Sequence, residues 1–440
     1  MAYRRHYNSH FGRLGAEVAL RWPEKAVIAG KGKRHHTLGL ALSGGGYRSA
    51  IFNYGILKGL HALGLLPHID YLSAVSGGSW IGTPFSMTDD FHWFFHDIPD
   101  HANLIEEGFE SLLANPARLA QEAALARKDP NYLSNIFGRL LAKTFLREHG
   151  QKGRYIPLSA RGVVKDGDRP FLVANGTVNY RAPGGFSVTQ ECFEMSRLYC
   201  GSRSLGYVHA KDLMARVKPI RVRDAIAISG AAVAFHLPAL GSEVAGFGLS
   251  REVQNYALAQ GGRAAGVSNA AHLDVSDGGH YNNLGVESLI HRGCGCLIVV
   301  DAEHDPEAPD ETRSNQSYSG LGTLLSRPHI PMPLSAGDIE RLDGRDEPVH
   351  VFDGTEDRPH VLYVKLKASR AFDEAARAEP YNAPGFLENL FGRGEFTFDP
   401  QFSTAKLDYA FAEHRNLSRL GEFVVGEHAE TFQDFAARSD

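Results

Sequence analysis

The chain has 440 residues, of which 43% are hydrophobic and 22% charged, and its formal net charge is −5. This composition supplies a large core and excludes a disordered polymer. The acidic balance gives no electrostatic footprint for a phosphate backbone, so no nucleic-acid partner is expected.

Charge is uneven at the start. Arg4, Arg5, Arg13, Arg21, Lys25, Lys31, Lys33 and Arg34 are opposed only by Glu17 and Glu24. Residues 1–37 read as a basic N-terminal arm, solvated or resting on an anionic surface, where each basic side chain contributes about 1 kcal/mol. The basic start is not followed by the apolar run of a secretory leader. Leu38 to Leu42 is short, apolar and stopped by Ser43-Gly44-Gly45-Gly46, the pattern of a buried strand entering a glycine loop. From Ser49 to Leu63 apolar residues recur at helical spacing, with Gly64 and Pro67 as stop signals. Ile69 to Val75 reads as the next strand and Gly77 to Phe85 as a short helix. Such a strand–helix–strand–helix run opens a parallel α/β sheet.

Residues 87–165 break the rhythm. An aromatic cluster (Phe91, Trp93, Phe94, Phe95) precedes amphipathic stretches around Leu112, Leu119 and Leu125, and through Leu133, Ile136, Leu140, Leu141 and Phe145. We expect an inserted helical cap whose aromatic cluster is either core or a lid meeting a membrane. Phe171 to Val178 is a strand and Arg223 to Ala232 an Ala-rich helix. The longest apolar stretch, from Ala225 to Ser250, is interrupted by His236, Pro238 and Glu243, which suits a buried helix and strand better than a membrane span. Any membrane contact is then expected to be peripheral. Beyond the Asp277 turn, a helix from Glu287 to Arg292 and a strand from Leu297 to Val300 follow. Residues 303–356, rich in Pro, Ser, Gly and acid, read as a surface excursion. Val361 to Leu366 is a strand and Thr404 to Leu420 an amphipathic helix. Cys192, Cys200, Cys294 and Cys296 match no disulfide scaffold and no zinc or redox spacing; they read as reduced core thiols of a cytoplasmic protein. The expected fold is α/β, a mostly parallel central sheet flanked by helices, forming one domain from residue 38 to 440.

Three segments carry chemistry. Ala74-Val75-Ser76-Gly77-Gly78 sits at a strand-to-helix junction, where a sharp turn exposes a serine hydroxyl as a nucleophile and small neighbours (Gly77, Gly78) let strand and helix approach. Ala74 stands where glycine is usual. Gly266-Val267-Ser268 is a near match with no helix behind it. Gly44, Gly45 and Gly46, one strand–helix unit upstream, leave backbone N–H groups free to hold an oxyanion at the positive end of a helix. Arg48 follows closely enough to bind a substrate phosphate or to hold that loop. Gly44-x-Gly46-x-x-Ser49 also approaches a dinucleotide fingerprint, but its third position is Ser and the acid due at the end of the second strand is missing. No Gly-Lys-Ser/Thr follows, which excludes a P-loop. Asp277-Gly278-Gly279-His280-Tyr281-Asn282-Asn283 offers a carboxylate in a tight turn, with Gly278 and Gly279 allowing close approach and the asparagines able to hold the turn and cap the next helix. Asp277 is the candidate base for Ser76; His280 is a neighbour and Asp301 the competing carboxylate.

Taken together, Ser43-Gly44-Gly45-Gly46-Tyr47-Arg48, Ser76-Gly77-Gly78-Ser79-Trp80 and Asp277-Gly278-Gly279 resemble the patatin-like phospholipases. Arg48-Ser49 and Trp80 lean toward the cytosolic phospholipase A2 and lysophospholipase branch. The stretches Phe171 to Asn179, Cys200 to Tyr207, Ser276 to Gly285 and Phe398 to Leu420 look like bacterial members. Ala74 and Ser49 depart from the family pattern. The resemblance implies a Ser–Asp dyad without a catalytic histidine, an oxyanion hole in the glycine loop, an acyl-enzyme, and hydrolysis of phospholipid or lysophospholipid esters with no cofactor and no metal. Two alternatives stand beside it: an α/β-hydrolase with a Ser-Asp-His triad drawing on His280, His291 or His304, and a lipid-binding protein on an inactive hydrolase fold.

Overall fold

The structure is a computed structural model. It describes residues 22, 24–25, 36–87, 94–95, 124, 131–146, 157–159, 169–181, 188–215, 218–231, 251–255, 272–305, 318–343, 347–382, 396–404, 406 and 409–439.

The first strand, β1 (Leu38–Leu42), leads through the glycine loop into α1 (Gly46–Ala62), then β2 (Tyr71–Val75) and α2 (Gly77–Met87). These follow the sequence expectation to within a few residues. One helix of the insert is described, α3 (Tyr132–Phe145). Next come β3 (Phe171–Arg181), β4 (Val188–Met195), β5 (Tyr199–Ser202), β6 (Gly206–His209) and α4 (Val222–Ser229). The chain continues with β7 (Arg251–Gln254), β8 (His272–Asp277), α5 (Gly279–Asn282), α6 (Val286–His291) and β9 (Cys296–Asp301). It closes with α7 (Ser319–Leu325), α8 (Ala336–Asp343), β10 (Val349–Phe352), β11 (His360–Lys365), α9 (Arg370–Ala376), α10 (Phe411–Glu427) and α11 (Ala429–Ala437).

The main sheet has 11 strands, in the order β10-β11-β9-β1-β2-β3-β4-β5-β6, with β8 on β3 and β7 on β8. From β11 to β3 neighbouring strands are parallel. Antiparallel strands extend the sheet on both sides. Strand pleating sorts the core into two layers. Leu38, Leu40, Leu42, Ile298 and Val300 face one layer with residues of α1, α3, α4 and α10, while Ala41, Leu297 and Val299 face the other with α6, α7 and α8.

Two expectations change, and one pair of alternatives is narrowed. Within residues 303–356, Leu321, Leu324, Ile330, Met332, Leu334, Ile339 and Leu342 are buried in that second layer, so this stretch covers the sheet as well as crossing the surface. Its turn residues mask a helical apolar spacing. In the insert, Phe137, Leu141 and Phe145 pack into the core, Phe94 and Phe95 pack against Tyr54, and Phe95 stacks with His61, so the described half of the aromatic cluster is core; Phe91 and Trp93 lie outside the described residues. Of the basic arm, Trp22 and Glu24 are buried instead of solvated. Glu24 pairs with Arg292 at 3.1 Å, Arg292 also pairs with Glu194 at 2.8 Å, and its guanidinium lies 4.3 Å from the Trp22 ring. The rest of the arm, apart from Lys25, His36 and Thr37, is outside the described residues.

Candidate active site

Strand β3 brings the two halves of the site together. Its first residues pair with β2 in parallel, ending at Val75 opposite Asn175. Its next residues pair with β8 in antiparallel fashion, beginning with Asp277 opposite Gly176. Strands β2 and β8 thus run toward each other along one edge of β3, and their carboxyl ends meet where one register stops and the other starts. The sequence read Asp277 as part of a tight turn; it is the last residue of an antiparallel strand that lies on the same edge of β3 as β2.

At this meeting point Ser76 Oγ donates a hydrogen bond to Asp277 Oδ2 over 2.9 Å. The other carboxylate oxygen accepts the Gly279 N–H at 2.6 Å, which fixes the carboxylate plane. Ser76 has φ 49°, the one positive value at a non-glycine among the described residues. A left-handed backbone at a serine is uncommon and marks stored strain at a sharp turn. Helix α2 starts immediately after it, with the Ser79 and Trp80 N–H groups donating to the Ser76 carbonyl. The turn is tight: a Cβ on Gly77 would overlap the Gly46 carbonyl oxygen, and one on Gly78 the Leu42 carbonyl oxygen. Ala74 is accommodated because Gly82 of α2 faces its methyl; even a Cβ there would come within 3.1 Å.

The glycine loop lies against this elbow, since a Cβ on Gly44 would come within 3.0 Å of Ser76 Cβ. Gly45 and Gly46 take φ of 136° and 65°, which favour glycine. Gly44 spends its N–H on the Asn283 carbonyl at 2.9 Å. Asn283 therefore ties the loop to the Asp277 segment. Its side chain donates to Glu303 at 2.5 Å, so it does not cap α6, whose N-cap is Gly285 in the left-handed conformation. Burial and the neighbouring Asp301 carboxylate raise the Glu303 pKa to about 7.

Arg48 is fully buried. Its Nε and Nη2 donate to the Ala302 carbonyl at 3.2 and 2.9 Å, and Nη1 to the Phe402 carbonyl. Burial lowers its pKa to about 10. Of the two roles expected for Arg48, the geometry corresponds to holding the loop, because the guanidinium is engaged with main-chain carbonyls and turned away from solvent. Phe402 lies in the stretch from Phe398 to Leu420, so Arg48 ties the glycine loop to that part of the chain.

His280 Nδ1 lies 3.0 Å from Ser276 Oγ. Asp301 is committed elsewhere: it accepts from Tyr363 and lies 3.1 Å from the Lys365 ammonium. Asp301, Glu303 and Asp305 have ligand atoms within 4.8 Å of one another, and the Lys365 ammonium, 2.5 Å from Asp305, already supplies positive charge to that group.

Sequence reasoning missed the residues beneath Ser76 and Asp277. Asn175 donates to Ser73 Oγ at 2.8 Å and to the Ala74 carbonyl at 3.1 Å, and Ser288 donates to its Oδ1 at 2.5 Å. Thr177 donates to the Asp277 carbonyl at 2.6 Å. Ser229, the last residue of α4, touches both halves of the site. None of these positions carries a motif; only their convergence in space distinguishes them.

Residues 38–209 match the family model of a lysophospholipase catalytic domain. The fold is shared with human GIVD cytosolic phospholipase A2. That structure superposes over 100% of this chain and 67% of its own, with a TM-score of 0.65 at 17% sequence identity. The same human protein in complex with methyl gamma-linolenyl fluorophosphonate gives a TM-score of 0.56 at 18% identity, over 100% of this chain and 64% of that one. In sequence, lysophospholipase 3 of Candida albicans is 29% identical over 213 residues, which is 40% of this chain and 27% of the fungal protein. The chain thus aligns with about a quarter of that relative's length.

Proposed function

We propose that the chain is a lipid acyl hydrolase of the phospholipase A or lysophospholipase type, acting through a Ser76–Asp277 dyad. The observation that carries this reading is the 2.9 Å hydrogen bond from Ser76 Oγ to the Asp277 carboxylate at a strained strand-to-helix turn beside a glycine loop. The similarity to a lysophospholipase catalytic domain supports the substrate class. So does the human relative, which has been captured with a fatty fluorophosphonate.

In this mechanism Ser76 Oγ attacks the ester carbonyl as its proton passes to Asp277. The carbonyl oxygen gains negative charge and is held by the N–H groups of Gly45 and Gly46, with Gly77 adding a third donor as the residue after the nucleophile. The tetrahedral adduct collapses, the carbon–oxygen bond to the alcohol breaks, and protonated Asp277 returns the proton to the leaving oxygen. Water then gives a proton to Asp277 and its oxygen to the acyl carbon, the bond from that carbon to Ser76 Oγ breaks, and Asp277 returns the proton to Oγ, releasing fatty acid and restoring both residues. Arg48 supports the loop without touching substrate. Among the described residues no helix is long and apolar enough to cross a membrane; contact with a lipid surface is proposed as peripheral.

Activity against diacyl phospholipids, lysophospholipids and neutral esters, beside Ser76→Ala, tests the proposal. Release of fatty acid from the phospholipid or lysophospholipid that disappears in Ser76→Ala is expected. Equal turnover by the variant refutes the assignment of the nucleophile.

A further inference from the structure

We propose that Ser229 is a positioning residue for this reaction, one that sets the distance between nucleophile and base by holding the backbone of both. The inference rests on the Ser76–Asp277 reading and extends it to a residue outside the three motifs.

The place where β2 and β8 meet is a break in a hydrogen-bond ladder. Strand β2 stops pairing with β3 at Asn175, and β8 starts at Gly176. Backbone groups at such a break need partners, because an unpaired buried N–H or C=O is costly. Ser229 supplies them. Its hydroxyl accepts the Ser76 N–H at 2.9 Å and donates to the Asn175 carbonyl at 2.6 Å. Its own carbonyl accepts the Gly278 N–H at 3.2 Å. One residue therefore touches the end of β2, the middle of β3 and the residue after Asp277. A hydroxyl can accept and donate at once, so it bridges an N–H and a C=O in a way that neither alanine nor a weakly bonding thiol reproduces.

The contact falls on the strained residue. The Ser76 N–H belongs to the φ 49° turn, whose geometry aims Oγ at Asp277. Ser229 is itself fully buried, so it acts through Ser76 and Gly278 and not on substrate. Its own position is fixed from behind. Gly230 follows it, and a Cβ there would overlap the Trp80 indole nitrogen, so the end of α4 is seated directly on α2. Trp80 in turn packs against Phe137 and Phe145 of α3. The described helix of the insert thereby backs the seat of Ser229.

The test uses the full chain and a long-chain alkyl fluorophosphonate in detergent micelles. Here Ser76 Oγ bonds to phosphorus, fluoride leaves, and the serine proton passes to Asp277. Inactivation rate constant and inhibitor binding constant are measured separately for wild type, Ser229→Ala, Ser229→Thr and Ser76→Ala, with a thermal melt for each. We expect Ser229→Ala to fold, to keep its binding constant within about twofold, and to lose about tenfold or more in the rate constant. Ser229→Thr, which keeps the hydroxyl, restores the rate to within about threefold. If Ser229→Ala does not fold, Ser229→Cys, of similar size but a poor bridge, carries the same expectation. A folded Ser229→Ala or Ser229→Cys with an unchanged rate constant overturns the proposal. So does a loss in which rate and binding fall together and threonine gives no rescue, since that is the mark of general disruption. Labelling of Ser76→Ala at the wild-type rate is a different failure: it removes the dyad reading itself.

Discussion

Asp277→Asn separates the shape of the base from its ability to take a proton. The carboxylate accepts hydrogen bonds from Ser76 Oγ at 2.9 Å and from the Gly279 N–H at 2.6 Å. An asparagine has one oxygen for these two donors. If its NH2 faced Gly279, two donors would oppose each other in a buried site, at a cost of about 1–3 kcal/mol. The favoured orientation keeps oxygen toward Gly279 and turns NH2 toward Ser76. The serine oxygen then accepts instead of donating, and no group takes its proton. Losing a positioned base costs about 10²–10⁴ in rate, or roughly 3–5 kcal/mol of barrier. Stability changes far less, since the Gly279 contact survives. The assay is single-turnover acylation by a lysophospholipid, with His280→Ala in parallel and folding checked by circular dichroism. His280→Ala, whose ring contacts Ser276, is expected within about threefold of wild type. A folded Asp277→Asn that acylates within about tenfold of wild type, or a His280→Ala as damaged as Asp277→Asn, refutes the dyad and restores the triad.

Other perturbations follow from the same geometry. Gly77→Ala forces a methyl into the Gly46 carbonyl and should abolish labelling of Ser76 while leaving the circular dichroism spectrum unchanged; a normally labelled variant contradicts the packing of loop on elbow. Arg292→Met leaves Glu24 and Glu194 buried without their cation, and should destabilise the chain by about 3–5 kcal/mol in a urea melt; a loss below about 1 kcal/mol means Trp22 and Glu24 are not docked on Arg292 as described. Glu303 has its pKa raised from 4.5 to about 7, so between these values the folded chain retains a proton that the unfolded chain has released. Stability from this group is present in full below 4.5 and is lost as pH rises through 7. Glu303→Gln should remove that loss, gaining on wild type at pH ~8 relative to pH ~5; parallel pH–stability curves for the two proteins show that Glu303 does not titrate in this range.

Local signals made much of this legible. The elbow, the glycine loop and the Asp-Gly-Gly turn are short segments whose composition follows from sharp turns and close approach, and the structure brings the three together. The direction of β8 was not legible, because strand pairing is decided by partners far along the chain and not by the six residues of the strand. Arg48 was legible as a neighbour of the loop, but its orientation depends on carbonyls of Ala302 and Phe402, over 250 and 350 residues away. Residues 318–343 carry enough Pro, Ser and Gly to read as surface, and only the sheet face they cover reveals their leucines as core. Ser229 had no signal, since a serine ending an Ala-rich helix is ordinary until the strand break beneath it is seen.

The head-on meeting of β2 and β8 also bears on when the chain becomes reactive. Ser76 and Asp277 are 201 residues apart. During synthesis the serine, its helix and the glycine loop emerge long before the carboxylate does, and pairing across such a separation is slow to form. Until β8 docks on β3, Ser76 is an unactivated alcohol on an incomplete sheet edge. On the proposed mechanism, a nascent or truncated chain ending before β8 holds the Ser76 segment without its base and is expected to be silent toward esters until β8 pairs with β3.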